Sequence, residues 1–276
     1  MNVIWLAPAL ICYALSAALF VLGRTGTLKT YWSAYATALL GGGATLQTIE
    51  LVLRGIQAGN IPVTDFVQSL AFLGWLTALV GLVLIVRFKM PVIGAIVAPL
   101  ATVVMVVAAA MMKQGRMVVP ASLRSAWLPV HVTLALLGDA LFVLAAGVSV
   151  IYLVYESRLK AKRPLAIDGE RPPSLEKLDR VNYHLLVWGF LMLSLAIVTG
   201  AIWADATWGH FWSWEPQETW SAIIWLLYAA LLESRLTVGW RGRRVAALTI
   251  VVFTVLIGSF LGVSLITPGK HGGSFG

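Results

Sequence analysis

The chain has 276 residues, of which 59% are hydrophobic and 12% are charged, and its mean hydropathy is +0.87. These values exclude an ordinary soluble domain and are typical of an integral membrane protein. The formal net charge of +8 does not indicate a nucleic-acid partner, because the basic residues of a membrane protein mainly report its orientation in the bilayer.

Apolar segments of about 20 residues recur along the chain, which is the length that a helix needs to cross a hydrocarbon core of roughly 30 Å. They lack the alternation and the length of about ten residues that are typical of barrel strands. The expected fold is all-α, a polytopic membrane bundle of about eight transmembrane helices that forms one domain over residues 1–276. The eight segments lie at about 2–22, 33–53, 66–86, 91–112, 128–154, 184–204, 217–236 and 245–266.

The basic residues are distributed unevenly between the two ends of these segments. Fifteen of the 20 lie on one side, and the other five are Arg54, Lys113, Arg116, Arg124 and Lys270. Because basic residues are retained in the cytoplasm during insertion, we expect the side with fifteen to be cytoplasmic. Both termini and residues 205–216 are then expected to be external. The first segment is expected to be a retained helix, since no basic residue precedes it and no cleavage site follows it.

An aromatic segment, "WGHFWSWEPQETW" at 208–220, interrupts this apolar pattern. An interfacial aromatic belt is the alternative explanation, but a belt would distribute tryptophans over all helices. Pro216, preceded by Glu215 or Ser213 as a cap and followed by Glu218, predicts the start of a helix. The pattern indicates a rigid, water-facing aromatic surface for a large flat ligand. Five of the 12 tryptophans lie within 203–220: Trp203, Trp208, Trp212, Trp214 and Trp220.

The chain has four histidines, and two of them are expected on the same side as the aromatic segment. His131 lies near the outer end of the fifth segment, and His271 follows the outer end of the eighth. A single histidine at a helix end is more often an interfacial polar residue than a ligand, but two beside an aromatic surface favour a ligand pair. His184, at the cytoplasmic side, is expected to be interfacial, and His210 is expected to face solvent or cap the aromatic segment.

The segment "WADATWGHFWSWEPQETWSAIIWLLYAALLESR" resembles the tryptophan-rich signature WGxxWxWDPxETW of the haem-handling membrane proteins of cytochrome c maturation. The similarity is closest to the CcsA type, and it extends to residues 64–76, 128–153, 178–204 and 265–276. The resemblance implies that haem b binds at the external face, with His131 and His271 as axial ligands of the haem iron. It also implies a cofactor-binding role for the segment, in particular for Trp208, Trp212, Trp214, Trp220, Glu215 and Glu218.

Ionisable residues inside apolar segments usually face a cavity or the interior of the bundle. Asp139 lies two turns beyond His131 in the fifth segment, and we therefore include it among the expected cofactor-binding residues. Three basic residues expected on the external side, Arg54, Arg124 and Lys270, are candidates to pair with haem propionates. They are equally well explained as solvated charges of the loops.

The function that the resemblance implies is presentation of haem b for covalent attachment to the CxxCH motif of apocytochrome c. The chain would act as a subunit of a cytochrome c synthase, or haem lyase, with a CcsB-type membrane protein as partner. It has one cysteine, Cys12, and no CxxC motif, so that thiol chemistry is expected to belong to the acceptor and to an external thiol reductase system. The membrane is expected to be a bacterial cytoplasmic membrane or a thylakoid membrane.

One departure from the CcsA pattern keeps an alternative open. CcsA-type proteins usually carry a further histidine near the cytoplasmic end of the helix after the signature, and this chain has Glu233 there. The departure fits a haem delivery protein of the CcmC type, or a HemX-like regulator of haem synthesis, neither of which is a synthase. A transporter of another substrate is disfavoured, because the sequence shows no internal inverted repeat.

Overall fold

The computed structural model describes residues 3–23, 31–58, 61, 63, 65–111, 125–163 and 172–266. Within these ranges the secondary structure is entirely helical, which confirms the all-α prediction. A single 3-10 turn, Pro91–Ile93, precedes the fourth helix. The eight helices are α1 Val3–Gly23, α2 Trp32–Ala58, α3 Phe66–Arg87, α4 Gly94–Ala110, α5 Trp127–Lys160, α6 Leu175–Trp208, α7 Pro216–Leu236 and α8 Arg243–Ile266.

Seven of these helices are long and apolar enough to cross a membrane, whereas the apolar segments of the sequence predicted eight spans. The helix outside this set is α7, although its bounds agree with the predicted segment to within one residue. Its first turn contains Gln217 and Glu218, and its last turns contain Glu233 and Arg235. These polar ends lower the mean hydropathy of α7, because only 14 residues separate Glu218 from Glu233. The external location of the termini stays a prediction.

Helices α5 and α6 each contain 34 residues and are therefore about 51 Å long. Both helices are longer than the apolar segments from which they were predicted, because each helix continues into the polar sequence beside its apolar segment. The added residues include Glu, Lys, Leu and Arg, which are good helix formers. At the start of α6, Arg180 forms an i,i+4 salt bridge of 2.7 Å with Glu176. Each helix thus extends beyond a hydrocarbon core of roughly 30 Å.

The first compact unit comprises Met1–Val63, Val67–Gly115 and Ser157–Ser174. In it α1 packs against α2 and α4. A buried polar chain links its helices, since the Tyr13 hydroxyl donates to Gln47 Oε1 at 2.8 Å and Gln47 Nε2 donates to the Ala71 carbonyl at 2.8 Å. These hydrogen bonds satisfy the polar groups that the apolar core would otherwise leave unpaired.

The second compact unit comprises Thr64–Phe66, Arg116–Glu156 and Leu175–Gly276. In it α6 packs against α7, and α7 packs against α8. The rings of Phe142 on α5 and Tyr228 on α7 stack at 3.6 Å between centroids and 5° between planes. This unit carries the whole aromatic segment together with His131 and Asp139. The expectation of one membrane domain over residues 1–276 stays a prediction.

Candidate functional site

Six of the 13 residues of the aromatic segment are helical, and the other seven connect two helices. Trp203 and Trp208 belong to the last two turns of α6, and Trp220 lies in the second turn of α7, so that only residues 209–215 lie between the helices. Gly209 ends α6 with φ +77°, and its N–H donates to the Asp205 carbonyl at 2.8 Å. A left-handed residue at this position is the usual way for a helix to stop. The aromatic segment is therefore a tight helix-to-helix connection.

The carboxylate of Glu218 fixes the far end of this connection. It accepts hydrogen bonds from the backbone N–H of Ser213 at 2.7 Å, from the Ser213 hydroxyl at 3.2 Å and from the backbone N–H of Glu215 at 3.3 Å. Glu215 is the N-cap of α7, and Pro216 follows it in the first turn. The carboxylate of Glu215 accepts from the N–H of Glu218, which completes a capping box. The predicted helix start is confirmed, and both glutamates hold the backbone.

His131 on α5 is held by α6. Its Nδ1 lies 2.8 Å from the carbonyl oxygen of Ala196, and its ring stacks on Trp203 at 6.1 Å between centroids and 18° between planes. A carbonyl oxygen only accepts hydrogen bonds, so Nδ1 carries the proton and Nε2 carries the lone pair of the neutral imidazole. A backbone carbonyl that orients a histidine in this manner is a common feature of metal-binding histidines. The hydrogen bond and the stacked Trp203 ring thus hold the imidazole in one orientation.

A series of ring contacts connects His131 to the aromatic segment. Trp203 meets Trp208 edge to face at 5.0 Å, and Trp208 stacks with His210 at 6.5 Å. Trp203 is only 4% exposed, because its ring lies between His131 and Trp208. Trp203 is therefore a core residue of the second unit and does not contribute to an accessible aromatic surface.

Trp212 and Trp214 form a separate edge-to-face pair with 5.8 Å between centroids. Trp214 is 76% exposed and has φ +59°. A bulky residue in the left-handed region is strained by about 1–2 kcal/mol, and such strain is concentrated at functional sites. Trp220 and Phe211 are also exposed, at 39% and 60%. These rings provide the accessible aromatic surface.

Two buried polar atoms in the connection have no hydrogen-bond partner among the residues that the structure describes. They are Nε1 of Trp212 and Nδ1 of His210. The indole N–H is only a donor, so a buried one requires an acceptor such as a carboxylate or water. The expectation that His210 faces solvent differs from the structure, since Nδ1 is buried and the ring stacks on Trp208.

Asp139 lies on α5, one turn before Phe142, and is half-buried. It is therefore near the contact between α5 and α7, where Phe142 stacks on Tyr228. The hydroxyl of Tyr228 is buried and has no hydrogen-bond partner within the described ranges. Asp139 shares the second unit with His131.

The structure describes only some of the other candidate residues that were predicted from the sequence. His271, Arg124 and Lys270 lie outside the described residues. Arg54 pairs with Glu50 one turn earlier on α2, in the first unit. His184 is exposed on α6, where its Nδ1 contacts the Arg180 carbonyl at 2.8 Å. Of the two expected iron ligands, only the surroundings of His131 are described.

Sequence reasoning missed Gly200 and Ala196, which shape the surroundings of His131. A Cβ on Gly200 would lie 2.7 Å from Cε1 and 2.8 Å from Nδ1 of His131. Both residues occur in an ordinary apolar stretch of α6, so no local signal distinguishes them. Within the described ranges no group of three or more His, Cys, Asp or Glu side chains could hold a metal ion.

Comparisons with known proteins agree on one family. The profile of the family described as "Cytochrome C assembly protein" matches residues 63–271. The cytochrome c biogenesis protein CcsA of Synechococcus sp. (strain CC9902) is 31% identical over 296 residues, covering 96% of this chain and 97% of the relative. The protein of the same name from Synechococcus sp. (strain WH7803) is 32% identical over 297 residues, covering 93% and 92%.

A solved structure has a similar fold. The cytochrome c haem lyase CcmF superposes with a TM-score of 0.64 at 18% sequence identity. The match covers 99% of this chain and 48% of the haem lyase, so the chain spans about half the length of that protein. At this identity the likeness concerns the fold alone. The helical arrangement seen here is therefore shared with a longer protein.

Proposed function

Because the chain belongs to the cytochrome C assembly protein family, we propose that its second unit binds haem b and presents it for covalent attachment to apocytochrome c. Haem is the substrate in this proposal, and His131 is one axial ligand of its iron. His271 is the second ligand by resemblance to the CcsA type. The site faces the external side of the membrane, where the acceptor protein would approach.

The observation that carries the proposal is the fixed imidazole of His131. Its proton is held on Nδ1 by the Ala196 carbonyl, at 2.8 Å, so that Nε2 keeps the lone pair that iron coordination requires. The ring cannot turn freely, because it stacks on Trp203 and lies against Gly200. A histidine with only an interfacial role needs neither a defined tautomer nor a defined orientation.

The polar and aromatic groups of the connection fit the rest of the substrate. A porphyrin is flat and apolar, and it carries two propionates at one edge. The exposed rings of Trp214 and Trp220 offer an apolar surface. The buried N–H of Trp212 requires an acceptor, and a propionate carboxylate is one that the substrate supplies. Glu215 and Glu218 contribute indirectly, since they hold the backbone on which these rings stand.

The chain's contribution to the reaction is positioning. Each attachment adds a cysteine S–H across the C=C bond of a haem vinyl group, so one C–S bond forms, the hydrogen goes to carbon, and no net oxidation occurs. The helical residues hold the substrate in one orientation, and the exposed aromatic residues leave an edge open to the acceptor. Bringing two reactants together in this manner supplies a high effective concentration.

The partners follow from the same proposal. The acceptor is an apocytochrome c with a reduced CxxCH motif, and its histidine replaces one of the two axial ligands. A CcsB-type membrane protein completes the synthase, and an external thiol reductase system keeps the acceptor cysteines reduced. The chain has one cysteine, Cys12, in α1, which is consistent with thiol chemistry supplied by partners.

The second candidate function is haem delivery or regulation of haem synthesis without synthase activity. The observation that favours it is Glu233, which occupies the position where CcsA-type proteins usually have a further histidine. Glu233 is exposed on the penultimate turn of α7. A carboxylate is a poor ligand for haem iron, so this chain would hold haem at the aromatic segment and pass it on.

The absorption spectrum of the purified full chain, reconstituted with haem b, tests haem binding. We expect a low-spin spectrum with two histidine ligands, which His131→Ala and His271→Ala both abolish. His184→Ala is the matched control, because His184 is exposed and contacts only its own helix among the described hydrogen bonds. A wild-type protein without haem, or an unchanged spectrum in His131→Ala, would overturn the proposal.

A second assay separates the synthase from the delivery protein. The haem-loaded chain, with a CcsB-type partner and a reduced CxxCH peptide, is expected to yield a peptide with covalently bound haem, detected by its mass. Haem that leaves the chain but stays non-covalent would support delivery instead. The spectrum and the mass are independent, so failure of the second assay leaves the binding site intact.

A further inference from the structure

The connection between α7 and α8, together with the first two residues of α8, carries a concentration of positive charge that the proposed function does not use. Three arginines occur within four residues, Arg241, Arg243 and Arg244, and all three are exposed. Together with Val238, Gly239 and Trp240 they line an open cavity of about 630 Å³. We call these three arginines and Trp240 the arginine loop.

The backbone of the arginine loop is fixed by α6. Asp179 accepts hydrogen bonds from Nη1 and Nη2 of Arg235 at 2.9 and 2.6 Å, and it also accepts from the N–H of Gly242 at 2.9 Å. Gly242 has φ +64°, and a Cβ there would meet the Tyr152 hydroxyl at 2.6 Å. The loop therefore presents its arginines from a preformed backbone.

The acidic groups nearby do not neutralise this charge. Asp179 is engaged with Arg235, and Glu156 reaches Arg243 only at 4.0 Å. Within the described part of the chain neither Arg241 nor Arg244 forms a salt bridge, and the guanidinium of Arg244 lies 6.0 Å from the Trp240 ring. A set of exposed guanidinium groups without enough carboxylates is suited to an external anion, above all a phosphate.

The position of the loop identifies the carrier of that phosphate. The cavity lies at the start of α8, a helix that is long and apolar enough to cross a membrane. Leu236 and Val238 flank it, and each is 65% exposed. Exposed aliphatic groups beside a tryptophan and arginines are typical of the boundary between headgroups and acyl chains. A free phosphate ion would make no use of these apolar groups.

We propose that the arginine loop binds the phosphate of an anionic phospholipid headgroup, with Leu236 and Val238 in contact with its acyl chains. The site is separate from the aromatic segment, and it does not depend on the proposed haem chemistry. It would hold the end of α7 at the membrane surface.

The test measures binding of phosphatidylglycerol to the delipidated full chain in detergent, by native mass spectrometry, with phosphatidylcholine as the neutral comparison. Replacing Arg241, Arg243 and Arg244 together with Gln should weaken phosphatidylglycerol binding by roughly 100-fold, at about fivefold per arginine. The matched control replaces Arg158, Lys162 and Arg163 with Gln. These residues are also exposed, and the same charge is removed, but none of them lines the cavity. Binding at the arginine loop should therefore change less than about twofold, because only residues near the bound headgroup contribute.

Each other outcome overturns the proposal. Equal loss in both triple variants would mean diffuse charge attraction. Equal binding of the two lipids would exclude selectivity for an anionic headgroup, because phosphatidylcholine has a phosphate but no net charge. Displacement of the lipid by inorganic phosphate alone would assign the cavity to a free anion. If the triple variant does not fold, Arg241→Gln and Arg158→Gln are compared in the same assay, where only the former should weaken binding.

Discussion

Gly200 on α6 provides the space that the imidazole of His131 on α5 occupies. A Cβ at position 200 would lie 2.7 Å from Cε1 and 2.8 Å from Nδ1 of that ring. The imidazole has no equivalent alternative orientation, because it is held by a hydrogen bond to the Ala196 carbonyl and by stacking on the Trp203 ring. The glycine and the histidine therefore form one structural element of the candidate haem site.

Gly200→Ala is expected to weaken haem binding without unfolding the helix. The added methyl group forces His131 from its rotamer and stretches its hydrogen bond, which together cost about 1–2 kcal/mol. Haem affinity should fall by about tenfold, measured by haem titration of the purified protein. Gly258→Ala in α8 is the control, since a Cβ at that position meets nothing within 4 Å. Equal affinities in the two variants would contradict the role of Gly200.

Trp214 allows the strain in the connection to be separated from the function of its ring. Trp214→Gly and Trp214→Ala both remove the ring, but only glycine adopts φ +59° without cost. We expect the glycine variant to be more stable than the alanine variant by about 1 kcal/mol, in thermal unfolding of the detergent-solubilised protein. Haem attachment to the acceptor should be reduced equally in both. If the alanine variant were the more stable of the two, the backbone at position 214 would have left its left-handed conformation, and the predicted strain would be absent.

The capping box predicts that Glu218 controls the order of the connection. Glu218→Ala leaves the N–H groups of Ser213 and Glu215 without their acceptor, and loss of a cap costs about 1–2 kcal/mol. Limited proteolysis within 209–215 should become faster, and haem affinity should fall. Gln217→Ala removes a neighbouring exposed side chain from the same helical turn and should change neither property. Similar cleavage of both variants would exclude a special role for the Glu218 carboxylate.

The ion pair of Asp179 and Arg235 is expected to stabilise the second unit. Both side chains are largely buried, at 15% and 10% exposure, and removal of one partner leaves the other without compensation. Asp179→Ala should lower the free energy of unfolding by about 3 kcal/mol, seen as a lower midpoint of thermal unfolding. The exposed pair of Glu176 and Arg180 provides the comparison, because Glu176→Ala should cost less than about 0.5 kcal/mol. Equal shifts would mean that burial does not distinguish the two pairs.

Local rules predicted the features that depend on neighbouring residues. The start of α7 follows from Glu215, Pro216 and Glu218, whose capping chemistry operates within one turn. Apolar length located all eight helices, but it did not locate the ends of α5 and α6. Hydropathy marks where a helix is surrounded by lipid, whereas the first turns of α6 are held by the pairing of Asp179 with Arg235.

The contacts of the candidate site were beyond sequence reasoning, because they join distant positions. His131 and Ala196 are 65 residues apart in the sequence, and no residue pattern around either of them predicts their hydrogen bond. Trp203 and Trp214 belong to the same tryptophan-rich part of the sequence, but Trp203 is buried and Trp214 is exposed. Composition identified the aromatic segment as a group, but only packing separates core rings from accessible ones. The role of His271 remains an expectation based on resemblance.

The ring contacts around His131 also provide an intrinsic fluorescence signal for haem binding. Trp203 contacts His131, and Trp208 contacts Trp203, so a haem held through Nε2 would lie close enough to quench the emission of both indoles by energy transfer. Haem entry could then be followed in real time from intrinsic fluorescence, without any label. Substituting phenylalanine at these two positions would remove the most responsive part of the signal and reveal how far the remaining tryptophans are from the porphyrin.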